Sequence, residues 1–328
     1  LERLEDRTVP SILWTGTAGD GLWGTGSNWQ GGMVPGPADD AVIDNTSSTS
    51  TITVAATPQS IKSLSCTKSF VLATGVSFTV TSGSSSVSGS FTMSPNASLT
   101  ATGASTTFTA TGSTTFDGSN LFATSGGHIT LPSTGYTNTS VGLPNQQHRT
   151  FRATGSSSVL DLHTLTTITG GDDFNDTLSI EALNGGQVNL SGTTQIRDGT
   201  TGDNSFRHID VTADGNGLSS LVNLAALTSY TGTTNPSAFS YCVLTPRNGG
   251  TIQAPSLTTL DKAALVLDGT GTMPTAQITT LTHGNVAISG GAVNLNGLAN
   301  FFEGTFAISG GTATLSSLAN IDGASFFV

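Results

Sequence analysis

The 328-residue chain is 9% charged and 35% hydrophobic, with 41 glycines and a formal net charge of −11. Ten Lys+Arg against 21 Asp+Glu leave no basic footprint for nucleic acid or an anionic membrane surface, and no apolar run approaches the ~18 residues of a membrane-spanning helix. Ser and Thr supply about 30% of the chain, which with so few strong helix formers excludes a helical bundle or a doubly wound α/β enzyme. Apolar residues recur at regular spacing and the charge density is low, so the composition is not that of a disordered chain.

Taken in chain order, residues 1–44 hold all three tryptophans, Trp14, Trp23 and Trp29, and several prolines. They are expected to form a capping or assembly segment before a domain spanning 45–328. Over 45–150 the pairs Phe78/Val80, Leu99/Ala101, Phe108/Ala110 and Ile129/Leu131 alternate as inward residues of short strands, with Gly126-Gly127 as the clearest turn. The copies that follow are Leu160-Asp-Leu162, Val188-Asn-Leu190, Val222-Asn-Leu224 and Ile252-Gln-Ala254, spaced about 30 residues apart. Extra length in these copies falls at 169–177, 197–207 and 231–241, the pattern of loops inserted on one face. Toward the C-terminus, Val286-Ala-Ile288-Ser-Gly-Gly291 and Phe306-Ala-Ile308-Ser-Gly-Gly311 repeat at a period of about 20 residues.

Alternation directs Val and Leu inward and Asn189, Asn223, Gln253 and Asn294 outward, and Gly-Gly supplies the positive-φ turn. A helix needs apolar residues at i, i+3, i+4 and i+7 over ten or more positions, which short runs cut by glycine do not give. A leucine-rich repeat has the right period but requires a Leu-x-x-Asn-x-Leu core that is missing. The expected fold is therefore an all-β, single-stranded parallel β-helix, a solenoid expected to be right-handed, with roughly 12–13 coils stacked over about 60 Å.

The run Trp14-Thr-Gly, Leu22-Trp23, Ser27-Asn28-Trp29 and Val34-Pro-Gly-Pro resembles the leading segment of secreted bacterial β-helix proteins. The earlier Leu4-Glu-Asp-Arg-Thr-Val-Pro10 resembles a motif near the start of planctomycete surface and secreted proteins, and copies such as Gly-Gly-Thr-Ile-Gln-Ala-Pro-Ser-Leu-Thr-Thr-Leu260 resemble their repeats. The resemblance implies export, through a signal upstream of Leu1, and a cell-surface or extracellular setting. It carries no catalytic residue to this chain.

The candidates for chemistry are few. His128, His148, His163, His208 and His283 show no metal-ligand spacing, and Cys66 and Cys242 would lie too many coils apart to pair, beyond the ~7 Å Cα separation a disulfide allows. Cys242 is expected as a buried thiol in one file with Leu178, Ile209 and Leu265. Asp172, Asp173, Asn175 and Asp176 crowd one inserted loop, with Asp198, Asp203 and Asn204 one coil later. Two readings stand: a structural calcium site formed by Asp172, Asp173, Asp176, Asp198 and Asp203, or solvated loop acids. A lyase would pair such acids with Arg149, Arg152, Arg197 or Arg207, although local ion pairing is the plainer role for these arginines. The tryptophans either stack on sugar rings or plug the open end of the solenoid.

The last coil ends at Phe326, Phe327 and Val328 with no polar cap, so an unpaired strand with apolar side chains offers a template to another chain. The leading functional expectation is a non-catalytic extracellular subunit polymerising head to tail. Its assembly residues would be Leu4, Trp14, Trp23, Trp29, Phe326, Phe327 and Val328. The alternative is a monomeric surface module that binds extracellular polysaccharide through the inserted loops. No cofactor is expected beyond the possible calcium.

Overall fold

A computed structural model describes residues 11–55, 58–140, 146–233 and 242–328. Each coil contributes up to three short strands, and every strand pairs in parallel with its counterparts on neighbouring coils. The expected parallel β-solenoid is the architecture observed. One face is a sheet of 12 strands, a second has 10 with a two-stranded continuation, and the third is divided into sheets of four and seven. Twelve stacked strands at ~4.8 Å each extend roughly 55 Å along the axis.

Register is set by vertical files of inward side chains. On the 12-stranded face Phe78, Leu99, Leu121, Phe151, Ile180 and Val211 stand one above another, each fully buried. Beside them Ala101, Ala123, Ala153, Ala182 and Ala213 form a file of methyl groups where the cross-section narrows. The opposite face stacks Phe108, Ile129, Leu160, Val188, Val222 and Ile252. A one-residue slip would turn each of these files toward water, so burial itself fixes the register. All four inward pairs expected over 45–150 are buried.

One expected file is corrected. Cys242 stacks on Ile209, as expected, but its other neighbour is Ala263, and Leu265 lies over Leu244. The preceding coil has an inserted loop and the following one does not, so Leu265 lies two positions away from the Cys242 file. Both cysteines are buried and free, and burial pushes the Cys66 thiol up to about 11, with the Lys68 backbone and its ammonium charge opposing it.

Two polar ladders run along the corners. Asp161, Asn189, Asn223 and Asn294 each accept the backbone N–H two residues ahead, at 3.0–3.3 Å, so the short polar side chain turns the corner itself. At another corner Thr166, Thr194, Thr228, Thr258 and Thr279 each donate a hydroxyl to the threonine carbonyl of the coil before, at 2.7–3.4 Å. The same carbonyls accept the threonines' backbone N–H groups.

The Gly-Gly turns divide into two kinds. In Gly126-Gly127, Gly185-Gly186 and Gly249-Gly250 the first glycine takes the positive φ, of 82–89°. The second lies so close to the previous coil that an added Cβ would sit 2.1–2.2 Å from a backbone carbonyl oxygen. In Gly290-Gly291 and Gly310-Gly311 it is the second glycine that has positive φ, so the terminal copies turn differently from the central ones despite the shared dipeptide. Gly186→Ala is expected to cost about 3 kcal/mol or more, because the clash is with backbone and cannot relax by a rotamer change. Gly24→Ala, which meets open space, is expected to leave the urea midpoint unchanged within about 0.5 kcal/mol. Equal midpoints for the two variants would contradict the close packing of the coils.

Candidate functional sites

Four places combine side chains that carry chemistry: the N-terminal lid, the acidic loops, a groove on the divided face, and the apolar coil at 321–328. The lid spans residues 11–39 and merges with the solenoid through the strand Ile12–Leu13, which pairs with Asp40–Ile43 of the ten-stranded sheet. The domain boundary expected at residue 44 therefore falls after the first solenoid strand. Trp14, Trp23 and Trp29 are all buried. Trp29 packs edge-on against both others, and Trp23 against Phe70 and Phe78, at centroid distances of 4.6–5.8 Å. The Trp29 indole N–H donates to the Trp23 carbonyl at 2.8 Å.

Of the two readings of the tryptophans, this burial fits the plug. Rings buried under their own chain cannot stack on a sugar, and they are not themselves a contact surface for another subunit. What the lid shows to solvent is Leu13, Leu22 and Met33, the last 69% exposed. Leu4 and the motif through Pro10 lie outside the described residues.

The five acids of the calcium reading do not form one ligand set among the described residues. Asp172 accepts from the Ser140 hydroxyl at 2.9 Å, and Asp173 from the Phe174 N–H at 2.8 Å. Asp176 receives the backbone N–H groups of Gln147 and Asp173 at 2.7 and 3.2 Å. Asp203 folds onto the Ser205 N–H at 2.9 Å, which holds its carboxyl below the usual range. Asp198 lies inside, its side chain shielded with that of Arg207 and the two 3.5 Å apart. Among the described residues, no group of three or more His, Cys, Asp or Glu is placed to hold a metal ion. The acids stabilise their own turns instead.

Arg207 deserves its burial through two further contacts. Its guanidinium donates to the carbonyls of Gly199 and Thr201, both at 2.7 Å, and so fastens the inserted loop to the coil. Being fully buried, it cannot reach a polymer as a lyase base. Arg149 is buried too, on an inward file over Leu178, where Gln147 and Asn96 accept from it at 2.7 and 3.2 Å. Arg152 pairs with Glu181 across coils, and Arg197 faces outward. The histidines follow the acids: His163 meets Asp161 at 3.0 Å, and His283 bridges Asp261 and Glu303 at 2.9 and 3.1 Å.

Two features were not anticipated. Phe174 and Phe206, on successive inserted loops, pack edge to face at 5.5 Å, and Phe206 does so at a φ of 61° while 39% exposed. The signal was present in their near-equal offset before Thr177 and His208. The inserted segment from 234 to 241 lies outside the described residues. The second feature is a groove of about 770 Å³ where the third face breaks between the strands Thr114–Thr115 and Gly135–Thr137. No family model matches the chain, and neither a curated protein nor a solved structure matches it.

Burial sets an unusual pH dependence. It lifts the Asp198 carboxyl to about 6, against the attraction of Arg207, and raises Asp176 as well, against the N–H groups it accepts. In the native state these groups hold protons that the unfolded chain has already released between pH 4 and 6. Stability is therefore expected to rise as pH falls from 7 toward 5. Below the ordinary carboxylate range the trend reverses. Asp261 and Asp268 are held low by hydrogen bonds that outweigh their burial, and their stabilisation is lost as they protonate. Urea denaturation across pH is expected to peak between about pH 4 and 6, with the slope from 7 to 5 flattened in Asp198→Asn; a wild-type profile that falls steadily from pH 7 to 5 would contradict the buried pair. Arg207→Ala is expected to cost about 3 kcal/mol at pH 7 by leaving Asp198 unpaired.

Proposed function

We propose that the chain is a non-catalytic structural subunit outside the cell, a rigid rod that assembles head to tail through the apolar residues exposed on its lid and on the coil at 321–328. The observation that carries this reading is where apolar surface lies. Among the described residues, seven of the ten exposed large hydrophobics are Leu13, Leu22 and Met33 on the lid and Ile321, Phe326, Phe327 and Val328 at 321–328. The other three described ones, Phe206, Leu218 and Val266, lie on the sides of the rod.

The strand Ser325–Phe327 pairs with Thr305–Ile308. Phe326 continues the ring stack of Phe301 and Phe306 at 5.6–5.7 Å. A second copy brought onto this coil would satisfy backbone groups and bury rings together, which is how sheet edges recruit partners. An extracellular setting is supported by the resemblance of the leading segment to exported proteins. The acidic loops support a structural rather than catalytic reading, because their carboxylates are spent on the loops' own N–H groups and on a buried arginine.

Negative-stain imaging and sedimentation velocity over a concentration series test the proposal. Rods in multiples of roughly 55 Å are expected, collapsing to single units when Phe326 and Phe327 are replaced by lysine. Monodisperse single rods at high concentration, or polymers that persist in the lysine variant, would overturn it.

A further inference from the structure

The divided face holds a concave site that the assembly reading does not use. The four-stranded sheet stops at Thr114–Thr115, which pairs only with Phe91–Met93 on the coil before it. The seven-stranded sheet starts at Gly135–Thr137, which pairs with Thr167–Thr169. Between them the chain passes through Asp117 and Gly118 without extending either sheet. Asp117 turns its carboxylate to the Thr137 N–H at 2.8 Å, and the Gly118 N–H donates to the Thr137 carbonyl at 2.9 Å. The side of Thr114–Thr115 that would have paired with a next strand opens into the groove.

The groove is lined almost wholly by hydroxyls. Of its 15 lining residues eight are threonine and two are serine, with one carboxylate, Asp117, and no lysine, arginine or histidine. Thr137 and Thr169 stack on the outward file of the first two strands, with Thr167 beside Gly135. Among the described residues none of these three hydroxyls donates to or accepts from protein, whereas the corner threonines elsewhere are bonded to carbonyls. At about 770 Å³ the groove has the volume of a site that takes a ligand of several rings, within the usual range of about 300–1,000 Å³.

The geometry points to a binding site for a neutral oligosaccharide. Free hydroxyls on β-branched side chains both donate and accept, so they complement a ligand whose own surface is hydroxyls over short apolar C–H patches. The threonine methyls and the ring of Pro132 supply the apolar counterpart. Phosphates, sulfates and uronates are excluded by charge, since the groove has one carboxylate, no cation, and a chain of net charge −11 around it. The ligand lies across the side of the rod, away from both ends.

Isothermal titration with cellohexaose, mannohexaose and hexagalacturonate tests the site on the full chain. At least one of the two neutral hexasaccharides is expected to bind and the anionic one is not. The triple variant Thr137→Val, Thr167→Val, Thr169→Val keeps the β-branched shape on a sheet surface and removes only hydroxyls; it is expected to weaken binding at least tenfold. Thr169→Arg, which fills the groove, is expected to abolish it. Absence of binding by both neutral sugars, equal affinity in the wild type and the triple variant, or equally tight binding of hexagalacturonate would each overturn the inference. None of these substitutions touches the rod ends, so failure here and failure of end-to-end assembly are read separately.

Discussion

Everything in this molecule depends on like side chains standing over like along the axis. A parallel coil has no second layer to pack against; its only large apolar contact is with the coil above and the coil below. Phe151 between Leu121 and Ile180, or Val222 between Val188 and Ile252, is thus both core and register mark. Backbone hydrogen bonds follow the same direction, so apolar stacking and the peptide ladder reinforce each other at every step. Glycine enters where coils touch most closely: at Gly127, Gly186 and Gly250 there is no room for even a methyl group.

The stacked geometry also determines how polar residues are used. An inserted loop meets its counterpart one coil later, and the two satisfy each other before any ligand arrives. This is why the acids at 172–176 and 198–203 close turns and pair with Arg207 rather than gathering around a cation. Burial then places Asp198 among apolar neighbours, including Cys242 and Tyr230, whose own ionisation is suppressed by the same shielding. The aromatic lid obeys the same economy. Its rings continue the files of Phe70 and Phe78 upward, so the first coil is covered by side chains of the kind that fill it.

Much of the architecture was legible because the C-terminal copies repeat with no change in length, so Val286 and Phe306 could be overlaid directly. Legibility fell where polar residues point inward. Ser85 takes the place of an apolar residue beneath Phe108 and donates no hydrophobic signal, while its hydroxyl accepts the Leu64 N–H at 3.0 Å. Arg149 occupies an inward position in one strand with Phe151 and Ala153, where a charged residue gives no hydrophobic signal. The candidate sites were less legible than the fold. Clustered acids are visible in sequence, but which atoms they already accept from is not. The groove arises from a missing strand pairing, a property of how two coils meet rather than of any residue type. That the tryptophans are buried rather than exposed is a matter of chain path, which their residue type does not reveal.

The division of the third face has a mechanical consequence. When a rod of this kind is pulled from its ends, tension runs through the interstrand ladders of all three faces in parallel. Between Thr114–Thr115 and Gly135–Thr137 one of the three is interrupted and replaced by the contacts of Asp117 and Gly118 with Thr137. Strain concentrates there, so under load the solenoid yields first at this coil, opening on that side like a hinge while the two continuous faces still hold.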